Sequence, residues 1–126
     1  MGEASRLRGR ALEAIEQAGA RVVVRAGGEA VVFSAREGED DAVELRADLG
    51  AAAGGRMLYA DLAKTTIVRV KEASDRVTLH FGDGEILHLE AVRNEHAEAV
   101  VATRTAREHG RGASALLDRL LGKLSG

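Results

Sequence analysis

Three runs, Thr66-Ile67-Val68-Arg69-Val70-Lys71, Arg76-Val77-Thr78-Leu79-His80-Phe81 and Glu85-Ile86-Leu87-His88-Leu89-Glu90, alternate apolar and polar side chains. Period-two alternation of this kind marks half-buried β-strands. Glu72-Ala73-Ser74-Asp75 separates the first two runs and reads as a four-residue hairpin loop. Pairing Lys71 with Arg76 sets Val70 opposite Val77, Val68 opposite Leu79 and Thr66 opposite Phe81, which makes one face almost wholly apolar. The second turn, Gly82-Asp83-Gly84, admits two registers. A two-residue Asp-Gly turn sets Leu79 against His88 and mixes the faces. A three-residue loop with Gly84 left-handed at a bulge sets Leu79 against Leu87 and Val77 against Leu89. The second register is favoured because the same face stays apolar across all three strands. Val68, Val70, Val77, Leu79, Phe81, Leu87 and Leu89 then face one core, and His80 and His88 lie on the outer surface.

Upstream, the period changes. Residues 5–19 predict a helix, with Ser5 as N-cap, Leu7, Ala11, Ala14, Ile15 and Ala18 at helical spacing, and Gly19 as the stop. Arg21-Val22-Val23-Val24-Arg25 is a short strand, Ala26-Gly27-Gly28-Glu29 a tight turn, and 30–36 the return strand with Val31, Phe33 and Ala35 on one face. The acidic segment Glu37-Gly38-Glu39-Asp40-Asp41 is a loop. Residues 42–47 alternate again, 49–55 form a Gly/Ala-rich loop, and Arg56-Met57-Leu58-Tyr59 is a further short strand. Downstream, Asn94 predicts the cap of a helix over 95–108 with Ala97, Val100 and Val101 as its apolar stripe. Beyond Gly110, the segment 113–124 carries Leu116, Leu117, Leu120, Leu121 and Leu124 on one helical edge.

Leu58-Tyr59-Ala60-Asp61-Leu62, the three-strand meander with Gly82-Asp83-Gly84, and Arg93-Asn94-Glu95-His96-Ala97 together resemble the second half of a bacterial pleckstrin-homology-like (PH-like) domain. The resemblance covers roughly residues 20–109. It implies an α+β, mostly β fold: a partly open antiparallel barrel of about seven strands, plugged by a C-terminal capping helix. The expected organisation is an N-terminal helix over 1–19, a PH-like domain over 20–110 and a short amphipathic tail helix over 111–126. The resemblance also implies a binding platform for phosphoinositide headgroups, peptides, protein partners or copies of itself. Headgroup binding in that family uses clustered Lys and Arg at the first strand-to-strand loop. Here that loop is Ala26-Gly27-Gly28-Glu29 with only Arg25 and Arg36 nearby, so phosphoinositide binding is not expected.

Composition narrows the function further. The chain has 126 residues, enough for one domain, and 45% hydrophobic residues with only 2% aromatics, so Val, Leu, Ile and Ala must build the core. A net charge of −2 in a chain that is 30% charged gives no bulk positive field for nucleic acid. The absence of cysteine excludes disulfides, thiolate metal sites and a cysteine nucleophile. No apolar run reaches the ~18 residues that span a bilayer, and the first residues lack a signal-peptide core, so a cytoplasmic protein is expected.

His80 and His88 are the most tempting chemical pair. The favoured register places Thr78 opposite His88 and His80 opposite Ile86, so the imidazoles lie on a diagonal of about 7–8 Å. A zinc site needs three or four ligands, and no carboxylate stands beside them, so solvent-exposed strand histidines are the expected reading. Asp40, Asp41 and Glu44 cluster without a partner base or nucleophile and read as solvated charges. No glycine-rich phosphate loop is present. No catalytic residues, cofactor or metal are therefore assigned. The leading expectation is a non-enzymatic protein-interaction or oligomerisation module that uses the sheet surface and the leucine edge. The alternative is a binder of an anionic ligand, acidic lipid or nucleic acid, through Arg6, Arg10, Arg104, Arg107 and Arg111 on the helices.

Overall fold

A computed structural model describes residues 3–50, 55–93 and 97–105. Among these residues the chain is all β apart from short 3-10 turns, with nine strands in two antiparallel sheets. The first sheet contains β1 (Leu12–Ala18), β2 (Arg21–Ala26), β3 (Glu29–Glu37), β4 (Val43–Leu49) and β5 (Arg56–Leu58), in the order β4-β3-β2-β1-β5. The second contains β6 (Ile67–Glu72), β7 (Arg76–Phe81), β8 (Ile86–Arg93) and β9 (Glu98–Thr105), in chain order. Their inner faces share one core that includes Leu12, Ile15, Val22, Val24, Val31 and Phe33 from the first sheet. The second contributes Ile67, Val77, Leu79, Phe81, Leu87, Leu89 and Val100. No helix among the described residues is long and apolar enough to cross a membrane.

The PH-like architecture with its capping helix is overturned. In place of the N-terminal helix over 1–19 stand a 3-10 turn, Glu3–Leu7, and strand β1. Leu12 and Ile15 are three apart, which imitates a helical face, but a register shift between Leu12 and Ala14 lets both point inward from a strand. Pairing with β2 on one side and β5 on the other outweighs the helical propensity of Glu13, Ala14, Glu16 and Gln17. Gly19, expected to stop a helix, instead sits in the two-residue turn that sets Ala18 opposite Arg21. The expected closing helix over 95–108 is likewise replaced by β9, which pairs with β8 from Arg93↔Glu98 to Ile86↔Thr105. Val100, Val101, Thr103 and Thr105 are β-branched, and of the expected stripe only Val100 is fully buried. Asn94, Glu95 and His96 lie outside the described residues, as does the whole tail over 111–126.

The β7–β8 register is the one read from the sequence: Leu79↔Leu87, Val77↔Leu89, Thr78↔His88 and His80↔Ile86. Gly84 takes φ +94°, a backbone conformation that a side chain disfavours, and closes the three-residue loop. Its N–H donates to Phe81 O at 3.0 Å. The β6–β7 register differs by two residues, with Val70 opposite Leu79 and Glu72 opposite Val77. The expected four-residue loop contracts, because Ala73 N donates to Arg76 O at 2.8 Å across the turn. Two long-range hydrogen bonds hold that tip: Leu45 N reaches Ser74 O at 2.8 Å and Ala91 N reaches Asp75 O at 2.9 Å. A bulge between Ile67 and Arg69 then turns Ile67 into the core and leaves Val68 48% exposed. Ile67 and Val23 are both fully buried.

The sheets are stitched along both margins. Residues 9–12 meet the start of β6 through Ile67 N→Arg10 O (2.9 Å) and Leu12 N→Thr65 O (2.9 Å), with Ala11 bridging to Thr66. On the other margin Val100 N donates to Ala20 O at 2.9 Å, and Tyr59 Oη donates to Ala102 O at 2.9 Å. Gln17 Nε2 reaches Gly19 O, Arg21 O and Val100 O at 2.9, 3.2 and 3.1 Å. These bonds occupy groups that an edge strand otherwise exposes.

Candidate functional site

Strand alternation brings the polar side chains of β6, β7 and β8 onto one outer face. Its rows follow from the ladders: Lys71, Thr78, His88 and Thr103 lie side by side, and Arg69, His80, Ile86 and Thr105 form the next row. Arg76, Glu90 and Val101 form the row on the other side. An open cleft of about 310 Å³ is lined here by Lys71, Glu72, Ala73, Arg76, Thr78, His80 and His88.

The charges on this face are unbalanced. Arg69 and Lys71 are in no ion pair among the described residues, and Arg76 reaches Glu90 only at 3.7 Å. Among the described residues Glu72 is the one carboxylate lining the cleft. Thr78 Oγ1 lies 3.0 Å from His88 Nδ1, which fixes that ring and leaves Nε2 as its free nitrogen. His80 titrates below the ordinary imidazole range. Burial is the largest cause, followed by the positive charges of Lys71 and Arg69 and by His88. The neighbouring positive charges disfavour the protonated form of the His80 ring.

The arginines expected to bind an anion are engaged elsewhere. Arg6 pairs with Glu3 at 2.8 Å. Arg10 donates to Arg6 O at 2.7 Å and to Gly27 O at 2.9 Å, and lies 3.8 Å from Glu29. Arg104 is bonded to Glu85 at 2.6 Å and to Asp61 at 2.8 Å; these hydrogen bonds, that to Glu85 foremost, hold its guanidinium still more firmly in the charged form. Arg10 and Arg104 thus brace two different turns instead of forming a stripe. Arg107 and Arg111, together with Leu116, Leu117, Leu120, Leu121 and Leu124, lie outside the described residues.

His80 and His88 stand on the outer face at the diagonal positions their register requires. Among the described residues no three His, Cys, Asp or Glu side chains gather closely enough to hold a metal ion. Sequence reasoning passed over Lys71 and Arg76 as members of a site. The signal was present in the outward positions of Arg69-Val70-Lys71 and Arg76-Val77-Thr78-Leu79-His80, where cations, a hydroxyl and an imidazole alternate with core residues. No family model matches the chain, and no curated protein or solved structure matches it either.

Proposed function

We propose that this chain is a non-catalytic binding module whose outer β6–β8 face receives an anionic ligand. The observation that supports this is a cleft lined by Lys71, Arg76 and two imidazoles with, among the described residues, one carboxylate, and flanked on the same face by Arg69; Arg69 and Lys71 are in no ion pair among those residues. Arg6, Arg10, Arg25, Arg36, Arg46, Arg93 and Arg104 each have a carboxylate within 4 Å, whereas Arg69 and Lys71 have none and share one sheet face with Arg76 and both imidazoles. Titration of the 15N-labelled chain with sodium sulfate at low ionic strength is the test. Amide shifts are expected to concentrate at Lys71, Thr78, His80 and His88, to fade as sodium chloride is added, and to vanish in R69E/K71E. Shifts centred on Arg6, Arg10 or Arg104 would instead support the arginines of the original alternative.

A protein-interaction role has one independent observation in its favour, five leucines within the sequence of residues 113–124. Light scattering at high concentration tests it: a dimer or larger species that dissociates in L117E/L121E supports it, and a monomer unaffected by that change removes it.

A further inference from the structure

We infer that the β6–β8 cleft takes up a phosphoryl or sulfuryl dianion together with a proton, with His80 and His88 closing on the anion as they become charged. The inference rests on the anion-binding reading above and adds the class of ligand and the way the site is regulated.

Three features of the face carry it. The two imidazoles occupy adjacent strands one row apart, His88 in the row of Lys71 and His80 in the row of Arg69. Such a diagonal spans about 7–8 Å. Two charge-assisted hydrogen bonds of about 2.8 Å to different oxygens of one tetrahedral group bridge a span of that size. Lys71 and Arg76 line the same cleft and supply further donors.

Thr78 makes protonation of His88 possible without loss of its position. A hydroxyl both donates and accepts, so the 3.0 Å contact to Nδ1 persists in either protonation state: Oγ1 donates to bare Nδ1, and Nδ1–H donates to Oγ1 once the ring is charged. Nε2–H is then a cationic donor toward the cleft.

Among the described residues no carboxylate is paired with either imidazole, and Glu90, two residues from His88 on the same face of β8, stands opposite Arg76. Facing His80 are Arg69 directly across on β6, Lys71 two residues along that strand, Ile86 across on β8 and His88 on the diagonal. Arg76 is on its own strand, Glu90 is placed opposite Arg76, and Glu72 lines the end of the cleft by the β6–β7 turn. Among the described residues neither imidazole is in an ion pair with a carboxylate. Burial and the cations Lys71 and Arg69 hold His80 below its ordinary range. A bound dianion offsets those charges, so proton and anion each favour the entry of the other, as linkage requires.

Calorimetry of the full chain tests this with sodium sulfate, which stays a dianion throughout the range. Sulfate affinity is expected to rise about tenfold or more from about pH 7.5 to about pH 5.5. Buffers of different ionisation enthalpy are expected to reveal proton uptake on binding. In H80Q/H88Q the affinity should lose its pH dependence while weaker, pH-independent binding through Lys71 and Arg76 persists; T78V, which keeps both imidazoles, should show part of that loss. Inorganic phosphate and vesicles of phosphatidic acid in phosphatidylcholine distinguish the source: tighter binding to vesicles than to free phosphate assigns a lipid headgroup, and the reverse a soluble ligand. Sulfate binding that ignores pH, or a pH dependence that survives in H80Q/H88Q, overturns the proton linkage and leaves the anion-binding reading standing. Absence of sulfate and phosphate binding at every pH overturns both.

Discussion

Each imidazole on the outer face sits among cations, and the two differ in what holds them. His88 is anchored to Thr78, whereas His80 faces Arg69 across the ladder and Ile86 on the other side. His80 protonates less readily in the folded chain than at its ordinary value of 6.5. The unfolded chain therefore binds that proton first as pH falls. The folded state is expected to lose stability from pH 6.5 downward until folded His80 itself titrates. NMR titration of the His80 ring should give a midpoint below 6.5, and urea midpoints for H80Q should fall less steeply with acidification than those of the parent chain. An upward-shifted His80, or identical pH profiles for the two proteins, would refute the local field described here.

The β6 bulge makes neighbouring side chains unequal. Ile67 is fully buried while Val68 is 48% exposed, although both belong to the same apolar run. Ile67→Ala is expected to cost about 2–4 kcal/mol and Val68→Ala within about 0.5 kcal/mol, read from urea denaturation. Similar costs for the two would restore the unbulged register. These strands also show what was legible in the sequence. Alternation in β7 and β8 and the Gly82-Asp83-Gly84 loop determine their pairing locally, so their register and the outer placement of His80 and His88 were readable. The β6 register was not, because the tip of its hairpin is held by Leu45 and Ala91, both remote in sequence. The strand β1 was hidden by a bulge that gives Leu12 and Ile15 a helical spacing. In β9 the stripe Ala97, Val100 and Val101 fits a helix equally well, and only the ladder offered by β8 decides. The candidate site was half readable: its histidines followed from register, but the gathering of Lys71, Arg76, Thr78, His80 and His88 around one cleft depended on the β6–β7 register, which the sequence did not show.

Over the whole molecule, the margins matter as much as the faces. Gln17 is the clearest case, since one side-chain amide serves carbonyls at both ends of the β1–β2 turn and Val100 on the other sheet. Gln17→Ala is expected to cost about 0.5–1.5 kcal/mol, because the partly buried Val100 O and two exposed carbonyls lose their donor together. Hydrogen exchange at Val100 should accelerate more than at Leu79, whose ladder lies in the middle of its sheet. Equal acceleration at both would mean global destabilisation and not an opened seam.

The bond from Gln17 to Val100 joins residues 83 positions apart, and residues 9–12 close against residues 64–67 across the opposite margin. Such a chain cannot complete its first sheet's boundary until its last strand has been synthesised. Loop closure must come before the contacts that reward it, so refolding belongs in the millisecond-to-second range of non-local β topologies. The chain contains no proline, which removes prolyl isomerisation as a source of slow phases. A growing polypeptide that ends before β9 leaves the edge of β8 unpaired and the tip of the β1–β2 hairpin without its partner. During translation this protein therefore depends on β9 for protection against association with its neighbours.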